Sequence, residues 1–213
     1  MEIINNVYQL DSVKGSHVFL IKADENILID TGMPGASEQI LAEINDLGVA
    51  TKDLQKILLT HHDIDHIGNA GILEVKTGAE VWAPEADIPY ILGHKNREGV
   101  KRLIQKFNRA PKPAKLNGYA DNQKFGEIQI IPAPGHTLGH SMILYRNVLF
   151  VGDLFKTNGS EITQLPRVMN RDQQQAQKAV AVLKDLNYNW LCPSHGNPIQ
   201  NGAEIQQFIN RYS

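Results

Sequence analysis

The chain has 213 residues, of which 42% are hydrophobic and 21% charged, proportions typical of a globular domain that exclude a disordered or fibrous chain. Its 21 lysine and arginine residues against 23 acidic residues give a net charge of −2, which offers no general attraction for nucleic acids. The single cysteine, Cys192, excludes an intrachain disulfide and favours the cytoplasm. The sequence shows neither a signal-peptide pattern nor the roughly 18 consecutive apolar residues of a membrane span, so we expect neither export nor a membrane.

The N-terminal third predicts a sheet with one intervening helix. Apolar and alternating runs predict strands at residues 7–10, 17–22, 26–30 and 56–60. The helix is predicted to begin with Ser37 as its cap and to end near Gly48. Its apolar positions follow the helical period and are Ile40, Leu41, Ile44 and Leu47.

The middle of the chain changes character at residues 94–115. An apolar stretch at 68–77 and a short strand at 80–83 come before this segment, which contains eight lysine or arginine residues against Glu98 alone. Helical spacing of Val100, Leu103, Ile104 and Phe107 predicts a basic amphipathic helix. It is expected either to cover a functional site as a lid for an anionic substrate, or to pack on the body or on a second subunit.

The C-terminal half again alternates strands and helices. Strands are predicted at 127–131, 141–145, 148–151 and 190–192, and a helix at 172–186 with Asn170 as its cap. A last helix runs through Ile205, Phe208 and Ile209. Since each half contains a sheet with helices and no flexible linker is evident, we expect one mixed α/β domain.

Histidine and aspartate residues are concentrated directly after the buried strand at 56–60. Five of the six residues from 61 to 66 are of types that can bind a metal, namely His61, His62, Asp63, Asp65 and His66. This density does not fit one face of a regular helix or strand, and it predicts a strand-end loop whose side chains converge on a metal. A polar loop that caps the following helix is the alternative.

Three further residues of ligand type follow apolar strands. They are His136 in a Gly-His-Thr segment, Asp153 after Val151-Gly152, and His195 before Gly196. Taken singly, a histidine next to glycine is more often a turn or core residue, and an aspartate at a strand end is more often a helix cap. Their order behind the dense cluster makes them candidate ligands as a set.

The four ordered motifs resemble those of the metallo-β-lactamase-fold superfamily, over nearly the whole length from Asp30-Thr31-Gly32 to His195-Gly196. The resemblance implies an α/β fold class, specifically a four-layered αβ/βα sandwich with a metal site at the edge between two packed sheets. It also implies a single domain over residues 1–213, of the glyoxalase II-like or lactonase-like kind, with a basic helical insertion at about 94–115.

The resemblance further implies two metal ions per chain. Their ligands would be His61, Asp63 and His136 for the first ion, Asp65, His66 and His195 for the second, and Asp153 for both. The family usually has histidine at the position of Asp63. Zinc is the expected metal, and the additional carboxylate makes iron or manganese stronger alternatives.

By the same resemblance, a metal-bound hydroxide is expected to cleave a thioester, a lactone or a related ester of an anionic small molecule, with Asp65 as a catalytic residue as well as a ligand. One alternative is a non-haem iron oxidoreductase of the persulfide dioxygenase-like or diiron kind; the other is a degenerate metal-binding module. We expect a small-molecule substrate, with neither nucleic acid nor membrane as a partner. The sequence leaves a homo-oligomer open.

Four neighbouring residues have supporting roles in this interpretation. His62 is expected to point away from the metal, and His140 either to orient a ligand or to be a structural histidine on the following strand. Asp30 either lies beneath the site or only forms a turn. Cys192 is expected to be a buried, inert thiol.

Overall fold

The computed structural model describes residues 1–97, 101–102, 110–159 and 161–212. The chain divides into two compact units, Met1–Gly118 and Tyr119–Ser213. Each contains a sheet with helices, which confirms the α/β class predicted for each half. The single domain over 1–213 with a basic insertion stays a prediction.

The described residues form a first sheet of seven strands that are neighbours in chain order. Pairing is antiparallel from β1 to β4 and parallel from β4 through β5 to β6. The strands are β1 (Glu2–Ile4), β2 (Val7–Gln9), β3 (Phe19–Ile21), β4 (Asn26–Ile29), β5 (Leu54–Leu58), β6 (Glu80–Pro84) and β7 (Leu116–Tyr119). Prediction found β2 to β6 with shifted ends and missed the short β1 and β7.

Four helices of the first unit are α1 (Ser37–Asp46), α2 (Ile64–Ile67), α3 (Ala70–Thr77) and α4 (Ile88–Ile91), with 3₁₀ turns at Thr51–Asp53 and Glu85–Asp87. Helix α1 buries Ile40 and Ile44 in a cluster with Leu28 and Ile57 of the sheet. The predicted cap at Ser37 is wrong, because Ala36 is the cap residue and Ser37 is already helical.

The second sheet has six strands in the order β15-β14-β11-β10-β9-β8, and β12 and β13 form a separate pair. Only the β11–β14 contact is parallel. These strands are β8 (Lys124–Phe125), β9 (Ile128–Pro132), β10 (Ser141–Tyr145), β11 (Val148–Gly152), β12 (Lys156–Asn158), β13 (Glu161–Thr163), β14 (Trp190–Pro193) and β15 (Ile199–Gln200). Prediction found the four that make the centre of the sheet and missed the short ones.

Two helices cover a core in the second unit. They are α5 (Gln173–Val182) and α6 (Ala203–Asn210), and 3₁₀ turns lie at Arg167–Met169 and Leu183–Asp185. Val180 of α5 and Phe208 of α6 pack with Leu149 and Leu191 of the sheet. Burial of this apolar face holds the strands of the sheet, and therefore their ends, in place.

The cap of α5 differs from the expected one. Asp172 accepts hydrogen bonds from the backbone N–H groups of Gln174 and Gln175 at 2.9 and 3.1 Å. Asn170 lies two residues earlier. Its side chain donates a hydrogen bond to the side chain of Gln173 at 2.7 Å and also contacts a histidine described below. The prediction of Asn170 as the cap is therefore wrong.

The described ranges contain no helix of the length and apolar character that a membrane crossing requires. The predicted basic helix depends on Val100, Leu103, Ile104 and Phe107, which lie outside the described residues. Two of its cations, Lys101 and Arg102, are described.

We expect Asp172→Ala to lower Tm by about 2–4 °C at pH 7 because the first turn of α5 loses its cap. The backbone N–H of Gln175 is the main cause that holds the pKa of the Asp172 carboxyl below its ordinary value. The stabilisation is therefore complete above the unfolded-state pKa of about 3.9 and disappears as the pH falls through the lower folded-state value. Thermal unfolding between pH 2 and 7 measures this difference, and a larger pH-independent loss in Asn170→Ala would restore Asn170 as the cap.

Candidate metal centre

The dense histidine cluster begins where β5 ends. His61 and Asp63 lie in the connection between β5 and α2, and Asp63 is the residue directly before α2. Asp65 and His66 lie on the single turn of α2. The prediction that all of these residues belong to a loop is wrong for this last pair, which a helical turn holds in place.

Asp30 fixes the position of this connection in the first unit. It follows β4 in a left-handed backbone conformation with φ of 57° and is buried. Its carboxylate accepts hydrogen bonds from the backbone N–H and the hydroxyl of Thr60, both at 2.8 Å, and lies 2.8 Å from His66 Nδ1. Of the two roles left open for Asp30, its contacts with Thr60 and His66 favour the one beneath the cluster over turn formation alone.

The turn after Asp30 also packs backbone against backbone on the end of α2. The N–H and the hydroxyl of Thr31 both bond to the carbonyl of His66, at 2.7 and 2.8 Å. Gly68 donates to the carbonyl of Gly32 at 3.1 Å, and a Cβ at Gly68 would collide with the backbone of Gly32 and Pro34. His66 is thus held through both its ring and its main chain.

Histidine and carboxylate groups pair closely in the first unit. His61 Nε2 lies 3.7 Å from Asp63 Oδ2, and His66 Nε2 lies 3.7 Å from Asp65 Oδ2. The two histidine rings are 3.9 Å apart between centroids. His61 Nδ1 lies 3.0 Å from the hydroxyl of Thr60, so each ring is anchored at Nδ1 and presents Nε2 beside a carboxylate oxygen.

The second unit repeats this arrangement around Asp153, which follows β11. Its two oxygens each lie 3.3 Å from a histidine, Oδ2 from His136 Nε2 and Oδ1 from His195 Nε2. His136 is anchored by its Nδ1, 3.1 Å from Asn170 Oδ1. One carboxylate between two imidazoles is the geometry that a bridging ligand requires.

The ring of His140 binds the main chain of Asp153. The N–H of Asp153 donates to His140 Nε2 at 3.0 Å, and His140 Nδ1 lies 2.9 Å from the carbonyl of Ala133. Both ring nitrogens are thereby used and the ring is buried. His140 therefore holds Asp153, a candidate ligand, in position.

The donor sets fit a divalent transition metal. Imidazole nitrogen and carboxylate oxygen are ligands of zinc, iron and manganese alike. A hydrogen bond at Nδ1 that leaves Nε2 for the ion is the usual arrangement of a metal-binding histidine, and His61, His66 and His136 all show it.

Two cations surround Asp63. Lys101 Nζ lies 2.6 Å from Oδ2, and Arg97 Nε lies 3.9 Å from Oδ1. The Arg97 guanidinium also donates to the carbonyl of His62. Burial lowers the pKa of Arg97 from its ordinary value, although the charges of Asp63, Asp87 and Asp65 act in the opposite direction.

Cys192 behaves as expected, whereas the orientation of His62 relative to a metal stays a prediction, since its Nε2 lies 3.7 Å from Oδ1 of Asp63. The ring of His62 stacks on Tyr90 at 4.6 Å between centroids, and its Nδ1 lies 2.9 Å from Asp87. Cys192 is fully buried, and burial raises the pKa of its thiol well above the ordinary value. Cys192 therefore carries a neutral, inert thiol.

Sequence reasoning missed three residues that contact candidate ligands. The contact of Asn170 with His136 was not predicted, because Asn170 was interpreted as a helix cap. Lys101 and Arg97 at Asp63 were placed in a basic segment expected either to cover the site or to pack on the body or on a second subunit. The signal available for them was the carboxylate at position 63, since a buried carboxylate needs a cationic or hydrogen-bonding partner.

The family model of the metallo-beta-lactamase superfamily matches residues 12–195. Metallo-beta-lactamase domain-containing protein 1 of Xenopus laevis is 27% identical over 202 residues, which cover 89% of this chain and 76% of that protein. Hydroxyacylglutathione hydrolase GloC of Haemophilus influenzae is 30% identical over 150 residues, or 66% of each chain.

Solved structures show the same fold. A metallo-beta-lactamase family protein of Thermus thermophilus is similar to this chain with a TM-score of 0.76, at 21% identity, over 99% of this chain and 79% of that one. The protein TTHA1623 in a di-iron-bound form has a TM-score of 0.69, at 21% identity, over 87% of this chain and 89% of that one.

We expect Asp30→Ala to lower the free energy of unfolding of the metal-free protein by about 3 kcal/mol or more. Three buried donors lose their acceptor, and each loss costs about 1–3 kcal/mol. Urea denaturation in the presence of a chelator measures the change. Asp30→Asn retains a carbonyl oxygen for Thr60 and should lose less, whereas equal and near-zero effects of both variants would show that Asp30 does not support the connection.

Proposed function

The chain belongs to the metallo-beta-lactamase superfamily, and from this premise we propose that it is a metal-dependent hydrolase with two ions per chain. The observation that carries the proposal is the arrangement of imidazole Nε2 beside carboxylate oxygen in both units, with Nδ1 anchored in His61, His66 and His136. Such sets bind metal tightly because their orientation is fixed before the ion arrives.

We assign the ligands by combining this arrangement with the order of the motifs. The first ion takes His61, Asp63 and His136; the second takes Asp65, His66 and His195; and Asp153 serves both. The position of Asp153 between His136 and His195 in the second unit supports its bridging role. Zinc is the proposed metal because its preferred ligands are histidine and carboxylate in this number.

When bound, two such ions lower the pKa of a shared water and polarise the carbonyl that this water attacks. The protein contributes the orientation of the ligands through Asp30, Asn170 and His140. Asp65 is 25% exposed at its side chain, whereas His66 beside it is fully buried. Asp65 can therefore both bind an ion and accept a hydrogen bond from the attacking water, which aligns it with the substrate.

The proposed substrate is a thioester, a lactone or a related ester of an anionic small molecule. A relative named hydroxyacylglutathione hydrolase supports the ester class. Eight cations against one acid in residues 94–115 support the negative charge of the substrate. The single buried cysteine supports a reducing compartment, and we propose the cytoplasm.

A second candidate is a non-haem iron oxidoreductase on the same fold. The carboxylate of Asp63 in the position of an imidazole favours it, since carboxylate oxygen is a harder ligand and suits iron or manganese better. A solved structure of this fold has been described in a di-iron-bound form. The identity of the bound metal and the need for oxygen during turnover separate the two candidates.

At saturating zinc we expect about two ions per chain, measured by elemental analysis of protein at dialysis equilibrium after the free zinc of the dialysate is subtracted. Asp153→Ala should lose most of both ions and all ester hydrolysis, because it removes the shared ligand. Cys192→Ala is the matched control: it removes another ligand-type side chain, three residues from His195, and should keep the full metal content.

Thioesters, lactones and phosphoesters are the substrates for the accompanying activity screen. Hydrolysis of an ester by the zinc protein, lost in Asp153→Ala, is the expected result. A protein that binds no zinc, or one that keeps its zinc in Asp153→Ala, would contradict the assignment. Turnover that requires iron and oxygen would favour the second candidate.

A further inference from the structure

Asp63 is a candidate ligand whose carboxylate lies close to two cationic side chains. Its side chain is 8% exposed, and those of its two cationic neighbours, Lys101 and Arg97, are 11% and 4% exposed. Charges at this depth interact strongly, because little water is present to screen them. An imidazole at this position would not need such neighbours.

The two cations do not have equivalent positions. Arg97 is fixed by its hydrogen bond to the carbonyl of His62 and approaches only Oδ1 of Asp63, at 3.9 Å. Lys101 reaches Oδ2 at 2.6 Å through a flexible four-carbon chain. Oδ2 is also the oxygen that lies 3.7 Å from His61 Nε2, so Lys101 binds the very atom that faces the neighbouring imidazole.

An ion held by His61 and Asp63 would therefore meet the ammonium of Lys101 at close range. Its double positive charge repels the ammonium, and both compete for the same carboxylate oxygen. Arg97 would keep the carboxylate in place if Lys101 moved away.

We propose that Lys101 competes with the first metal ion for Asp63, so that this ion binds much more weakly than it would without the ammonium group. This inference rests on the proposed metal-dependent hydrolase. Metal binding would then occur in two steps, and the second step would depend on displacement of Lys101. The concentration of free metal, rather than the ligand set alone, would set the number of ions per chain.

The test is calorimetric titration of the metal-free full-length protein with zinc. The wild-type protein should show one strong and one weak binding event. Lys101→Met should tighten the weak event by roughly tenfold or more, since one positive charge is removed close to the ion, and should leave the strong event unchanged. Lys101→Gln, which retains an N–H donor for Asp63, should tighten it as well if charge is the cause.

Two further variants serve as controls. Arg102→Met removes the adjacent cation, which is exposed, and Lys101→Arg keeps the positive charge; neither should tighten the weak event. Circular dichroism verifies that each variant is folded, and the zinc-induced rise in Tm gives a second readout of binding.

The inference and the proposed function fail in different ways. Two equally strong events in the wild-type protein, or a weak event that Lys101→Met and Lys101→Gln leave unchanged or weaken further, would overturn the competition by Lys101 while leaving the metal-dependent hydrolase intact. Absence of zinc binding in the wild-type protein and in all variants would overturn both. Zinc binding that appears only in Lys101→Met and Lys101→Gln would support the competition.

Discussion

Three contacts to one buried carboxylate, that of Asp30, determine where the histidine-rich connection of the first unit points. Two of them come from Thr60 and one from His66, so β4, β5 and α2 meet at a single side chain. The left-handed conformation of Asp30 directs that side chain towards the end of β5. Because isolated buried carboxylates are costly, the folded protein keeps all three partners in place. The orientation of His61 and His66 follows from this constraint.

In the second unit, different residues hold the candidate ligands in place. His140 binds the main chain of Asp153, and Asn170 binds the ring of His136. Asn170 depends in turn on the start of α5, where Asp172 is the cap. The contacts that hold the candidate ligands thus include helix caps and strand ends of the fold, which explains how residues in connecting segments can have a fixed orientation.

Sequence patterns predicted those parts of the molecule that depend on local periodicity. The central strands and helices α1, α5 and α6 have the burial that their apolar spacing indicates. The caps were wrong at Ser37 and Asn170, because several residues near a helix start can cap it and tertiary contacts select among them. The ligand types were visible because they cluster, whereas the contact of Lys101 with Asp63 joins residues 38 positions apart in sequence and has no local signature.

The central claim is that the ligand residues of both units bind the same two ions. Anomalous diffraction from crystals grown with saturating zinc, recorded on both sides of the zinc absorption edge, tests it directly. The account predicts two peaks, one on each side of the carboxylate of Asp153, with His136 and His61 at the first and His195 and His66 at the second. Peaks that contact residues of one unit only, or no peak at Asp153, would contradict it.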